Sequence, residues 1–124
     1  MVVAESYKAD YILPVKQFRV EYNAFNCFYD NHTKKILTYD YIKKKSLLLD
    51  TELNVTHYSD FTSLCQLATV EMNKKLLYTV WDGINDCLVL VNSDNLQLLD
   101  LHVLVDQCSG LCLCKIDENH AILG

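Results

Sequence analysis

Glycine and proline are scarce in this chain of 124 residues, which has three glycines and one proline, Pro14. Glycine accepts positive φ without strain and proline presets φ for tight turns, so both are the usual turn-formers of all-β proteins. Their scarcity excludes collagen-like and low-complexity chains and stands against a fold with many glycine-built hairpins. An excess of positive charge is also missing. The net charge is −5 and the pI about 5.2, which disfavours a general nucleic-acid binder with a basic face. No apolar run approaches the roughly 20 residues of a membrane-spanning helix. The segment from Met1 to Lys8 carries Glu5 where a secretory leader would be apolar. The cytoplasm or nucleus is therefore the expected compartment, and the six cysteines are expected to be free thiols. On that expectation the sequons Asn31-His32-Thr33 and Asn54-Val55-Thr56 are chance matches.

Hydrophobic residues make up 51% and charged residues 22%, the balance of a folded domain rather than a disordered chain. A repeat runs through it. Phe25-Asn26-Cys27-Phe28-Tyr29, a polar turn and Lys34-Lys35-Ile36-Leu37-Thr38-Tyr39 align with Cys65-Gln66-Leu67-Ala68-Thr69 and Lys74-Lys75-Leu76-Leu77-Tyr78-Thr79 at an offset of 40. The same offset carries Leu47-Leu48-Leu49 onto Cys87-Leu88-Val89. A third copy starts at Leu111-Cys112-Leu113-Cys114, turns at Asp117-Glu118-Asn119 and continues through Ala121-Ile122-Leu123, with Leu76 matched to Ile122 at 46 residues. A period of about 40–45 residues is that of a four-stranded propeller blade.

Within each unit, short runs of β-branched and aromatic residues alternate with polar turns. This predicts strands near 24–29, 35–41, 45–50 and 53–58, then near 64–70, 75–81, 87–91 and 96–103. A further edge strand is expected within residues 10–20, and Leu37 and Leu77 are expected in the strand core. The fold expected is all-β, a partial β-propeller of about two and a half blades, with units near 24–58, 64–103 and 111–124. Because such a stack leaves apolar faces wet, the chain is expected to be the N-terminal part of a longer propeller protein.

Over residues 18–124 this pattern resembles the WD-repeat-like propellers of large scaffold, coat and tethering proteins. The Gly-His signature of a true WD repeat is missing, and Trp81-Asp82 closes a second strand rather than a third. The segment Phe18 to Tyr39, with Asn26-Cys27-Phe28-Tyr29-Asp30, resembles the first blade of the Bulli-type regulatory subunits of the late-endosomal Rab exchange complex. The resemblance implies a non-catalytic protein-interaction scaffold in a membrane-trafficking complex, peripheral to endosomal membranes only through that complex.

Two alternatives compete. Asp60 reads as an N-cap, and Phe61, Leu64, Cys65, Ala68 and Met72 fall at helical spacing; with a second helix over 96–105, the chain would be a small α+β adaptor of the longin type. Cys108, Cys112 and Cys114 with His102 would make a zinc-binding module, although zinc wants four converging ligands and the spacing is not that of a standard knuckle. Buried hydrophobes explain these cysteines better. The four histidines are scattered, and no glycine-rich phosphate loop, paired carboxylates or HExxH motif occurs. The expectation is no catalysis, no cofactor and no metal.

Protein subunits are the partners expected, without nucleic acid. Lys34-Lys35 and Lys74-Lys75 should share one rim of the propeller, and Lys43-Lys44-Lys45 should share the opposite rim with the acidic turn from Asp82 to Asp86. The interface candidates are Trp81, Asp82, Asp86, Lys43, Lys44 and Lys45. Trp81 leads because tryptophan is enriched at interface hot spots. Asp82 is expected to act on partner binding with little effect on stability.

Overall fold

A computed structural model of the protein describes residues 2–7, 14–104 and 112–124. Among these residues every regular element is a strand and none is a helix. A first hairpin pairs β1 (Val2–Tyr7) with β2 (Pro14–Val20). The first four-stranded sheet is an antiparallel meander of β3 (Ala24–Asp30), β4 (Lys35–Asp40), β5 (Lys45–Leu49) and β6 (Val55–Tyr58). The second repeats that order with β7 (Cys65–Met72), β8 (Lys75–Trp81), β9 (Asp86–Asn92) and β10 (Leu98–Val103). A last hairpin joins β11 (Leu113–Asp117) to β12 (His120–Leu123).

The helical reading of residues 60–74, and the α+β adaptor built on it, are corrected here: Cys65–Met72 is a strand. The 3–4 spacing of Phe61, Leu64, Cys65 and Ala68 is a coincidence of two environments. Phe61 and Leu64 lie in the link before the strand, where Leu64 N–H donates to Trp81 O at 2.7 Å. From Cys65 onward the ladder to β8 takes over, with a bulge between Gln66 and Thr69 that interrupts the period of two. Residues 98–103 are likewise strand. β1 was not foreseen, and it makes the expected edge strand, β2, half of a hairpin.

Scarce glycine does not prevent the turns, because aspartate and asparagine cap them instead. Asp30 Oδ1 accepts from His32 N–H at 2.9 Å, Asp50 Oδ1 from Glu52 and Asn54 N–H, both at 2.9 Å, and Asn92 Oδ1 from Asp94 N–H at 2.8 Å. In four of the turns the positive φ falls on ordinary residues: Lys34 at 59°, Lys44 at 59°, Leu53 at 65° and Leu96 at 61°. A left-handed conformation costs a non-glycine residue roughly 1–2 kcal/mol. The side-chain caps offset that cost by giving turn amides a partner that water would otherwise supply.

Strand alternation divides each sheet into two faces. In the first sheet Leu37, Tyr39, Ser46 and Leu48 point toward the second sheet, and Leu47 and Leu49 point away, packing with Val20, Tyr22 and half-buried Ile36. In the second sheet Leu76, Tyr78, Val80, Cys87, Val89 and Val91 all face the first and are buried. Phe28 and Phe61 close the seam, with the Phe61 ring 6.4 Å from that of Tyr78. Several polar atoms inside this seam are paired across it, although the buried Ser63 hydroxyl has no partner among the described residues. Tyr78 OH donates to Ser46 Oγ at 3.2 Å, and Ser46 Oγ donates to Gln66 Oε1 at 2.7 Å. Tyr39 OH donates to Ser63 O, and Asn26, at a φ of 62°, donates from Nδ2 to Gln66 O at 3.3 Å and also to Leu67 O.

The expected core position Leu37 is fully buried, whereas Leu77 is half-buried. Leu77 lies on the face of the second sheet turned away from the first, the same side that Leu37 occupies in its own sheet. Where Leu37 meets a four-stranded neighbour, the β11–β12 hairpin offers two strands. Aligning the hairpins corrects the third repeat by one residue. Met72 pairs with Lys75 and Asp117 with His120, so Leu76 corresponds to Ala121, 45 residues on, and Ile122 corresponds to Leu77. Ala121 and Leu123 are accordingly half-buried while Ile122 is exposed. The same buried reading applied to Cys27, Cys65 and Cys87 holds for Cys87 alone, since Cys65 is half-buried and Cys27 exposed. Cys112 and Cys114 are exposed as well, because nothing among the described residues covers that side of β11. Cys108 lies outside the described residues.

Two measurements check this packing. Leu37→Ala should cost about 3 kcal/mol in urea unfolding and Leu77→Ala about half as much, since a cavity forms only where neighbours enclose the site. Burial raises the hydroxyl pKa of Tyr22 to about 12 and also raises those of Tyr39 and Tyr78. The folded pKa values lie above the unfolded value near 10, so the stability these groups supply is complete below about pH 10 and is lost as pH rises through the folded values. Alkaline thermal melts should show that decline, and Tyr78→Phe should make it shallower.

Candidate interaction surface

Each meander places its turns alternately at two edges. The turns at 31–34, 73–74 and 93–95 lie at one edge, which we call upper. Lys35 Nζ donates to Asp94 O at 3.0 Å and Ser93 Oγ to Lys74 O at 2.8 Å. Lys34, Lys35, Lys74 and Lys75 therefore belong to the upper edge. Asn73 N–H donates to Glu118 Oε2 at 2.7 Å there, and Lys115 Nζ lies 3.5 Å from Glu71 Oε2, tying the β11–β12 hairpin to the second sheet.

The lower edge is built differently. Its turns, 41–44 and 82–85, flank the link from β6 to β7. Ser63 N–H donates to Lys44 O at 3.0 Å, and Leu64 N–H, from the next residue, donates to Trp81 O at 2.7 Å. Two consecutive residues thus fasten both turns, holding them within roughly 10 Å given 3.8 Å per residue of chain.

Both turns share one device. Asp40 Oδ1 accepts from Ile42 N–H at 2.9 Å and Lys43 N–H at 3.0 Å. Asp82 Oδ1 accepts from Ile84 and Asn85 N–H, both at 2.8 Å. In each, an aspartate fixes the backbone and the residue two places on, an isoleucine, projects into solvent. Ile42 is 64% exposed and Ile84 87%. Tyr41, Tyr58 and Leu64 are exposed beside them. Lys43 Nζ lies 3.3 Å from Tyr58 OH and 5.0 Å from its ring centre, a cation–π contact that orients the lysine. Gly83 has a φ of 105°, and a Cβ there would sit 3.0 Å from Leu64 Cδ1. The backbone favours glycine at this point, while an added Cβ would only push aside the exposed Leu64 side chain.

The six candidates divide accordingly. Lys43 and Lys44 are exposed turn residues of this edge, and Lys45 is half-buried at the start of β5. Trp81, 41% exposed, ends β8, where it pairs with Asp86, itself half-buried in β9. Asp82 is exposed yet structural as well, since its carboxylate holds the turn. Hydrogen bonds from Asn85 and Ile84 keep its carboxyl below the usual range. Burial, with Asp82 beside it, pushes the Cys87 thiol up. Sequence reasoning missed Tyr41, Ile42, Tyr58, Leu64 and Ile84. The signal for two of them was present, in Asp40-Tyr41-Ile42 and Asp82-Gly83-Ile84, 42 residues apart.

Among the described residues no three or more His, Cys, Asp and Glu side chains lie close enough to hold a metal ion, and no helix is long and apolar enough to cross a membrane. No protein-family model matches the sequence, and no curated protein matches it.

The capping carboxylates carry a pH dependence. Hydrogen bonds lower the folded pKa of Asp50, Asp82 and Asp117. Their stabilisation is complete above the unfolded value near 3.9 and is lost as pH falls through the lower folded values. The melting temperature should stay level from about pH 7 to 5 and fall below about pH 4. Asp82→Asn keeps an oxygen acceptor for the turn, so it should leave the neutral melting temperature nearly unchanged and reduce the acid fall.

Proposed function

We propose that the two four-stranded meanders are successive blades of a WD-repeat-like β-propeller, that the β11–β12 hairpin opens a third, and that the protein is a non-catalytic interaction platform in a larger complex. The 40-residue repeat supports the propeller reading, as does the sheet-on-sheet seam, where the Leu37 face of the first sheet meets the face of the second that lies opposite its Leu77 face, so that successive sheets stack head to tail. The likeness of Phe18 to Tyr39 to the first blade of a Rab-exchange regulatory subunit supports membrane trafficking as the setting.

The observation that carries the interaction reading is the pair of exposed isoleucines, each on an aspartate-capped turn and both fastened at one edge by Ser63 and Leu64. Exposed apolar side chains on capped turns bury area on binding with little backbone left to order. A cluster of them, rimmed by charge, marks an interaction site.

The test is the hydrodynamic size of the natural protein, purified under its own promoter from its own cells. Co-elution with other proteins in fixed stoichiometry is the expected result. Elution as one polypeptide without partners at every salt concentration overturns the platform reading.

A further inference from the structure

We infer that the lower edge takes an amphipathic segment of a partner protein, with an apolar strip along its centre, acidic residues at one end and basic residues at the other. This rests on the platform reading and specifies its ligand. Ile42, Leu64 and Ile84 supply the apolar line. Leu64 sits between the two turns, since its N–H is fastened to Trp81 O and its side chain lies against Gly83. The line is a ready counterpart for side chains spaced along one face of a helix.

Charge sets the orientation. On the first-sheet side stand exposed Lys43 and Lys44 and half-buried Lys45, with the Asp40 carboxylate buried beneath the turn, and on the second-sheet side exposed Asp82 and half-buried Asp86. A segment with acid at one end and base at the other is matched in one direction along the edge and opposed in the other, which gives register and specificity more than raw affinity. The same distribution argues against a lipid surface. With Asp40 capping the first turn and Asp60 in the link, the edge holds four acids and three lysines, leaving no net attraction to an anionic leaflet. The aspartate beside Ile84 would have to approach the headgroups with it.

A phage-displayed library of random peptides long enough for several helical turns is the probe, selected against the folded chain and paired with vesicles of phosphatidylcholine and phosphatidylserine. The expected result is enrichment of peptides with apolar residues at helical spacing between an acidic and a basic end. Ile42→Asp and Ile84→Asp should each weaken the selected peptides by more than about tenfold, with circular dichroism and melting temperature unchanged because both side chains are exposed. The joint reversal Lys43→Glu and Lys44→Glu should select peptides in which the acidic end has become basic. That third arm keeps the inference testable should either isoleucine variant disturb its turn. Failure to enrich such peptides, or peptides indifferent to both isoleucines and to the lysine reversal, overturns the inference while leaving the platform reading to its own test. Vesicle binding lost in Ile42→Asp and Ile84→Asp, without edge-dependent peptides, assigns the edge to a membrane instead.

Discussion

The seam between the two four-stranded sheets is the interaction on which the rest depends. A lone meander has two faces, and neither is stable in water while apolar. The seam buries Leu37 and Leu48 from one side and Leu76, Tyr78, Val80, Val89 and Val91 from the other. Polar groups enter it because pairing offsets their desolvation. The relay from Tyr78 OH through Ser46 Oγ to Gln66 Oε1 crosses it, and a buried hydroxyl left alone there would cost about 1–3 kcal/mol. The polar pairs add direction to a contact that area alone leaves free to slide. The positions of both lower turns follow, since the link through Ser63 and Leu64 runs along the seam and fastens one turn from each sheet.

Turn chemistry is the second constraint, and it connects stability to the surface. A chain with three glycines must make its hairpins with residues that dislike positive φ, and it does so by placing aspartate or asparagine where a carboxylate or amide oxygen can collect the turn amides. The exposed residue after the cap is then held in one backbone conformation. Ile42 and Ile84 are presented by the same carboxylates that stabilise their turns, so Asp82 cannot be assigned to surface or scaffold alone. The contrast between the edges has the same origin. At the upper edge, side chains of one turn bond the backbone of the next, whereas at the lower edge the backbone of the link makes those bonds and frees the side chains.

The register of the first two repeats is legible in the sequence because it is written in local patterns. Alternation in Asp86–Asn92 and the polar breaks at Asn31–Lys34 and Asn73-Lys74 need no tertiary information. The strand within 60–74 was harder, since a bulge breaks the period of two and mixed burial mimics a helix. The third repeat was misread by one residue because composition cannot tell which of Ala121 and Ile122 faces a neighbour. Cys112 and Cys114 were read as buried from their apolar surroundings in sequence, but burial depends on what covers a strand.

Sequence by itself determined the all-β class, the four-strand unit and its period, and the separation of Lys34-Lys35 and Lys74-Lys75 from Lys43–Lys45, since strand number and turn order decide which edge a turn occupies. Only the tertiary structure decided which residues that edge offers. Exposure of Ile42, Leu64 and Ile84 results from a link that threads between two sheets and from carboxylates that fold back on their own turns, and neither contact has a signature in composition or hydrophobic period. Apolar residues in a sequence are read as core because burial is their average fate. Which of them the packing leaves outside is a property of the assembled sheets.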